Sequence, residues 1–294
     1  MGKSMRRVPV VIRAIITGLV VTSAAIVPWG LLVQANLKVA VRIPWAAAGM
    51  TAYLFLYVKY LGGWGWPRST AAARRDSLRA AGLSLRTWSW SLFSGISAFA
   101  SSIALLLVVR RIVAWPAPGG EFPARLPTFV IAATLLVSAA VAGISEEAGF
   151  RGYMQRMMER RYGPPVAIFV SSLVFGLAHL THGLRPVPLL FDVGWGALYG
   201  FLAYLSGSIV PGIILHSSLD FVEFWATWRQ ALRARPLVWQ SGPDAHFWGG
   251  CAATIIFALI AVWAFRRLAA TTSETRTPQD PGMIRVRGWS DPDG

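Results

Sequence analysis

Apolar residues in this chain gather in long runs, where a surface helix would show a three-or-four-residue rhythm and a half-buried strand would alternate. A helix needs about 20 apolar residues to cross about 30 Å of hydrocarbon. Eight runs approach that length: 14–33, 43–61, 88–109, 128–144, 166–180, 189–205, 209–225 and 247–265. They predict an all-α fold, a polytopic membrane protein with about eight transmembrane helices. Several of the middle runs are short and broken by polar residues, which matters for function.

Composition supports the same picture. Of 294 residues 55% are hydrophobic and only 14% charged, against roughly 25% charged in an ordinary soluble domain. The 14 Trp and 28 Gly fit membrane interfaces and membrane helices. The net charge of +15 would suggest nucleic acid in a soluble protein, but the basic residues lie between apolar runs and follow topology. With the N-terminus placed in the cytoplasm, 19 of the 28 Lys and Arg fall in inner segments, so the positive-inside rule puts both termini there. A cleaved signal peptide is disfavoured, because the first run is too long and another hydrophobic helix follows. Arg6 occupies the position where myristoylation of Gly2 wants Ser or Thr. The single Cys251 permits neither an intramolecular disulfide nor a cysteine metal cluster.

The segments divide the chain. Residues 1–127 hold about three helices and a basic loop at 62–87, read as solvated, with an amphipathic stretch around 71–81 as the alternative. Residues 128–225 form the functional core. Residues 226–267 carry a loop and the last transmembrane helix, and 268–294 are expected to be a disordered polar tail. The segment 110–127, rich in Pro and Gly, reads as an irregular external linker.

Ionisable side chains are costly inside a bilayer, about 2.5 to 3.5 kcal/mol each on insertion scales, so they mark sites or wet cavities. Here they cluster between the fourth and seventh runs. The fourth runs into Glu146-Glu147-Ala148-Gly149-Phe150-Arg151, the fifth ends in Phe175-Gly176-Leu177-Ala178-His179, and the seventh carries His216-Ser217-Ser218-Leu219-Asp220. Glu147 and Arg151 are four apart and can pair on one helix face, leaving Glu146 about 100° round and free to face elsewhere. A buried carboxylate beside a second one is a plausible general base for water. His179 can hold the same water, and His216 can donate to an oxyanion. Asp192 and Glu223, both inside apolar runs, are candidate cavity-lining groups, whereas His182 and His246 lack partners and read as packing or loop residues.

These three ordered motifs resemble the CPBP family of intramembrane proteases, the Rce1-type CAAX prenyl proteases and their bacteriocin-processing and lysostaphin-resistance relatives. The resemblance spans roughly residues 128–225. It implies peptide-bond hydrolysis near the cytoplasmic face, with Glu146 and His179 activating water, His216 supporting the oxyanion and Arg151 orienting Glu147; Phe175 reads as a core aromatic or as the residue that holds His179 in place. Asp220 stands where the prenyl-protease branch has Asn; an ionised Asp cannot donate to an oxyanion, so it is assigned to orienting His216, to a protonated form, or to a metal. The cofactor expectation is open: none required, or a divalent metal such as zinc on Glu146, His179 and His216, although no His-Glu-x-x-His helix is present. The expected partners are the lipid bilayer and a membrane-associated peptide or protein substrate, with no nucleic acid. Arg outnumbers Lys 25 to 3, which points to a GC-rich bacterium, hence to its inner membrane and away from prenylated substrates.

Rival readings use the same polar cluster. A proton-coupled transporter would employ embedded carboxylates and histidines, but the chain shows no internal repeat. A non-catalytic scaffold or immunity protein would keep the fold without the reaction. A rhomboid-type serine site lacks its Gly-x-Ser-Gly, an aspartyl site lacks its Gly-x-Gly-Asp, and Cys251 has no His or carboxylate near it in the chain.

Overall fold

The computed structural model describes residues 8–114, 126–182, 186–229 and 235–275, with no side-chain description for 181–182 and 274–275. Among the described residues every element is helical and there is no strand. In chain order they are α1 (Val10–Lys38), α2 (Trp45–Leu61), α3 (Ala71–Leu78), α4 (Leu85–Ile112), α5 (Thr128–Glu146), a π-helix (Glu147–Gln155), α6 (Arg156–Tyr162), α7 (Pro164–Ala178), a 3₁₀ turn (His179–His182), α8 (Pro186–Ser206), α9 (Val210–Trp228), α10 (Val238–Ser241) and α11 (Ala245–Thr275). A short 3₁₀ turn, Arg68–Thr70, precedes α3.

Each of the eight apolar runs falls on a helix, and five of the described helical stretches are long and apolar enough to cross a membrane: Val10–Lys38, Leu85–Ile112, Thr128–Tyr162, Pro186–Ser206 and Ala245–Ser273. The chain is an integral membrane protein. Helix α2, with 17 residues, and α7, with 15, are shorter. Helix α11 continues past the boundary expected at residue 267, because Leu268 and Thr271 still bury a face. The linker at 115–125 and the tail from 276 lie outside the described residues.

Local chemistry sets the ends. Ser84 caps α4 by accepting from the Thr87 N–H at 3.2 Å. Prolines open α7 and α9 in their first turns, where the missing N–H is not needed.

The helices pack chiefly in pairs, α4 with α11, α7 with α8 and α5 with α9, and α1 closes over the π-helix. One apolar cluster joins α1, α2 and α5; a second joins α1, the π-helix and α7; a third joins α4, α8, α9 and α11. Helices α5, α7, α8 and α9 all reach the space between these clusters. The polar residues collect there.

Two polar hubs define the ends of the bundle. At one, Arg79 binds both oxygens of Glu159 at 3.0 and 3.1 Å, its carbonyl accepts from the Ile209 N–H, and Ser208 donates to the Ala81 carbonyl. The 62–87 loop is thereby docked on α6 and on the α8–α9 turn, where a freely solvated loop was the favoured expectation, and its 71–81 stretch contains the short helix α3. At the other end, Arg111 donates to the Pro236 carbonyl at 2.7 Å and grips both oxygens of Asp244.

Candidate active site

Glu146 is the last residue of α5 and Glu147 the first of the π-helix. A π-helix bonds i to i+5 and is rare outside functional regions. Nine residues in that form, all buried, begin at Glu147 here. The widened turn lets neighbouring carboxylates converge: Glu147 Oε1 lies 3.1 Å from His216 Nδ1 and Glu146 Oε2 lies 3.8 Å from His216 Nε2. The two glutamates, expected to diverge by about 100° on an α-helix, thus address opposite edges of one imidazole.

Glu147 is fully enclosed. Its Oε1 is also 3.1 Å from Arg151 Nη1, as the four-residue spacing predicts. Arg151 is equally enclosed, donates from Nη2 to the Gly196 carbonyl at 3.1 Å, and lies over the Phe175 ring at 4.3 Å. Gly212 leaves the space Glu147 occupies, since a Cβ there would sit 2.9 Å from Glu147 Oε2. Glu147 is therefore committed to holding Arg151 and His216. It does so through Oε1, its Oε2 making no hydrogen bond; Glu146 is buried and faces the other edge of His216, its Oε2 3.8 Å from Nε2 and likewise without a hydrogen bond.

Helix α7 ends in Phe175 and His179. His179 Nδ1 is 2.8 Å from the Phe175 carbonyl oxygen. A carbonyl only accepts, so Nδ1 carries the proton and Nε2 is the basic nitrogen of the neutral ring. Phe175 lies between the two histidines, with ring centroids 4.6 Å from His179 and 6.1 Å from His216. Asp220 follows His216 by one turn, its Oδ2 3.6 Å from His216 Nε2.

All seven residues singled out from the sequence thus lie around one polar cluster. Side-chain exposure rises from 0% at Glu147 through 9% at Glu146 to 15% at Asp220, so the cluster is sealed on the Arg151 side and open toward Asp220. Further along, Glu223 has Asp192, Arg110 and His179 as charged neighbours. His246 begins α11 at the other end of the bundle, and the His182 side chain lies outside the described residues.

No group of three or more His, Cys, Asp or Glu disposed to hold a metal ion occurs among the described residues. Glu146 and Asp220 stand 3.8 and 3.6 Å from His216 Nε2. The set expected to hold a metal, Glu146, His179 and His216, does not form such a group in this arrangement.

Sequence reasoning missed Tyr199, whose ring stacks on His216 at 4.5 Å with 14° between planes, and Gln155, which donates to the Gly200 carbonyl at 3.0 Å and to Glu159 at 2.9 Å. A Tyr inside an apolar run carries no signal of its own. For Gln155, the step of four residues from Glu147 through Arg151 was the available sign.

No curated protein and no solved structure matches this chain. Residues 128–222, which hold all seven site residues, match the family model described as Rce1-like, type II CAAX prenyl endopeptidase Rce1-like. Over residues 128–222, with their ordered glutamate, histidine and histidine helices, the chain is thus similar to the Rce1-like family of type II CAAX prenyl endopeptidases.

Proposed function

We propose that this protein is an intramembrane endopeptidase that hydrolyses a peptide bond of a membrane-associated peptide or protein by carboxylate-activated water. The carrying observation is the division of labour between adjacent glutamates: Glu147 is bound to Arg151 and His216, while the buried Glu146 Oε2 makes no hydrogen bond beside His216.

In this reading a water lies between Glu146 and His179 Nε2. Glu146 takes a proton as the water oxygen bonds to the scissile carbonyl carbon. The carbonyl becomes an oxyanion, which His216, carrying protons on both nitrogens, meets through Nε2–H while Nδ1–H stays on Glu147. Collapse breaks the C–N bond, and the proton on Glu146 passes to the departing amine. Asp220 holds the Nε2 edge of His216, and Phe175 fixes the separation of the two imidazoles. The substrate enters from the Asp220 side, where exposure is greatest. His216 lies six residues into α9, about 9 Å from its start, and Asp220 one turn further from the end that bears the 62–87 loop, so the mouth of the site faces toward the Arg111 end.

The test compares membrane peptides from cells carrying wild type with those carrying Glu146→Gln, alone and with His179→Ala, at equal protein level. A precursor accumulates in both variants and its product disappears if the reading is right. A phenotype that survives both substitutions with no accumulated precursor points to transport or scaffolding.

A further inference from the structure

One buried group at the site has no part in the scheme above. Tyr199 on α8 is 1% exposed, its ring lies flat on His216, and the Arg151 guanidinium stands 5.2 Å from its centroid. Packing accounts for the ring. It does not account for the hydroxyl, which is buried and makes no hydrogen bond, whereas a buried tyrosine ordinarily finds a partner. The charged groups that this phenol feels are Glu147, Asp220, Arg151 and Glu146. All four belong to the site, as does His216 under the ring, with Arg151 beside it.

Donors there are scarce. His179 Nδ1–H is spent on the Phe175 carbonyl and His216 Nδ1–H on Glu147; Arg151 donates from Nη2 to Gly196 and pairs through Nη1 with Glu147, and its guanidinium, Nε and Nη1 without hydrogen bonds, is wholly enclosed on the sealed side of the cluster. An ionised Asp220 has only lone pairs to offer. An oxyanion forming near His216 Nε2 would meet that single donor and a neighbouring carboxylate, a poor environment for a new negative charge.

We propose that Tyr199 is a catalytic residue whose hydroxyl donates the second hydrogen bond to the oxyanion of the tetrahedral intermediate, beside His216 Nε2–H. A donor without a partner at rest and satisfied only when the intermediate forms lowers the barrier without tightening the ground state. The assignment rests on the peptidase reading and adds a residue that the three motifs do not contain.

The experiment uses full-length protein in liposomes and, as substrate, the peptide that accumulates in Glu146→Gln cells. Tyr199→Phe keeps the stacked ring and removes only the donor. It is expected to lower kcat by about 10²- to 10³-fold with KM unchanged. Adding Asp220→Asn, which places an amide N–H next to His216, should recover at least about tenfold of that loss. A Tyr199→Phe enzyme within about threefold of wild-type kcat overturns the assignment. A loss that Asp220→Asn does not relieve assigns the phenol to packing and overturns it equally. Wild type that cleaves nothing overturns the peptidase reading instead, a distinct result.

Discussion

Arg151 and Glu147 form an ion pair with both side chains wholly out of solvent, and the cost of dehydrating two charges is met by a short list of partners: His216, the Gly196 carbonyl and the ring face of Phe175. Removing one member of such a pair leaves the other charge buried alone, which costs about 3 to 5 kcal/mol. Arg151→Met should therefore lower thermal stability in detergent by that order and abolish activity through collapse of the site. Arg151→Lys should recover little, since an ammonium cannot reproduce the planar fork that reaches both Glu147 and Gly196. Glu146→Gln differs in kind. Its Oε2 makes no hydrogen bond, so the amide should leave the melting temperature near wild type while activity is lost. A melting curve of Glu146→Gln that falls as far as that of Arg151→Met would contradict the separation of the two glutamates into a reacting and a holding residue.

The π-helix depends on α1. Thr22 Oγ1 donates to the Ser145 carbonyl at 3.3 Å, and Gly149 lets the two backbones meet: a Cβ there would fall 2.0 Å from Thr22 Oγ1 and 2.6 Å from the Gly18 carbonyl oxygen. Gly149→Ala should push α1 off the π-helix and cost about 1 to 3 kcal/mol by overpacking. Activity should fall as well, because the turn it distorts carries Glu147 and Arg151; a variant with normal stability and cleavage would show that α1 does not hold the site. The helices themselves were readable from the chain, because crossing a bilayer demands apolar length and leaves long runs. So was the seven-residue cluster, because burying ionisable groups is expensive and their four-residue spacing survives in either helix type. The π-helix was not readable: its sequence, Glu-Ala-Gly-Phe-Arg-Gly-Tyr-Met-Gln, would serve an α-helix equally well, and the residues packed against it, Thr22 and Gly18, lie more than a hundred positions away. The same holds for Tyr199, which is marked by the imidazole it covers and not by any neighbour in sequence, and for Arg79, which looks like one of several loop cations until Glu159 is placed against it.

On the scale of the whole molecule, acidic residues near one end hold the basic loop in place. Asp76 on α3 pairs with Arg160 and, at 3.6 Å, with Arg156. Burial alone would raise its carboxyl pKa, but the hydrogen bond and charge of Arg160, with Arg156, hold it below the ordinary value of 3.8. A group with a depressed folded pKa adds stability above its unfolded value and loses it as pH falls through the folded one. The loop should therefore loosen only below about pH 4, and Asp76→Asn should flatten that acid dependence by less than about 1 kcal/mol, as expected of a half-exposed pair. The orientation of this end has a direct consequence. Trp66 lies in the basic loop at 86% exposure and Trp239 near the Arg111 hub at 65%, so the two residues report on opposite ends of the bundle. If the excess of Arg and Lys fixes topology, the Trp66 end is cytoplasmic and the Trp239 end is external. In a Cys251→Ser background, a membrane-impermeant thiol reagent applied to intact cells should label Trp239→Cys and spare Trp66→Cys, with both labelled after permeabilisation. The reverse pattern would turn the protein over. It would also reverse the side of the membrane toward which the Asp220 mouth of the site opens, and with it the side from which substrates arrive.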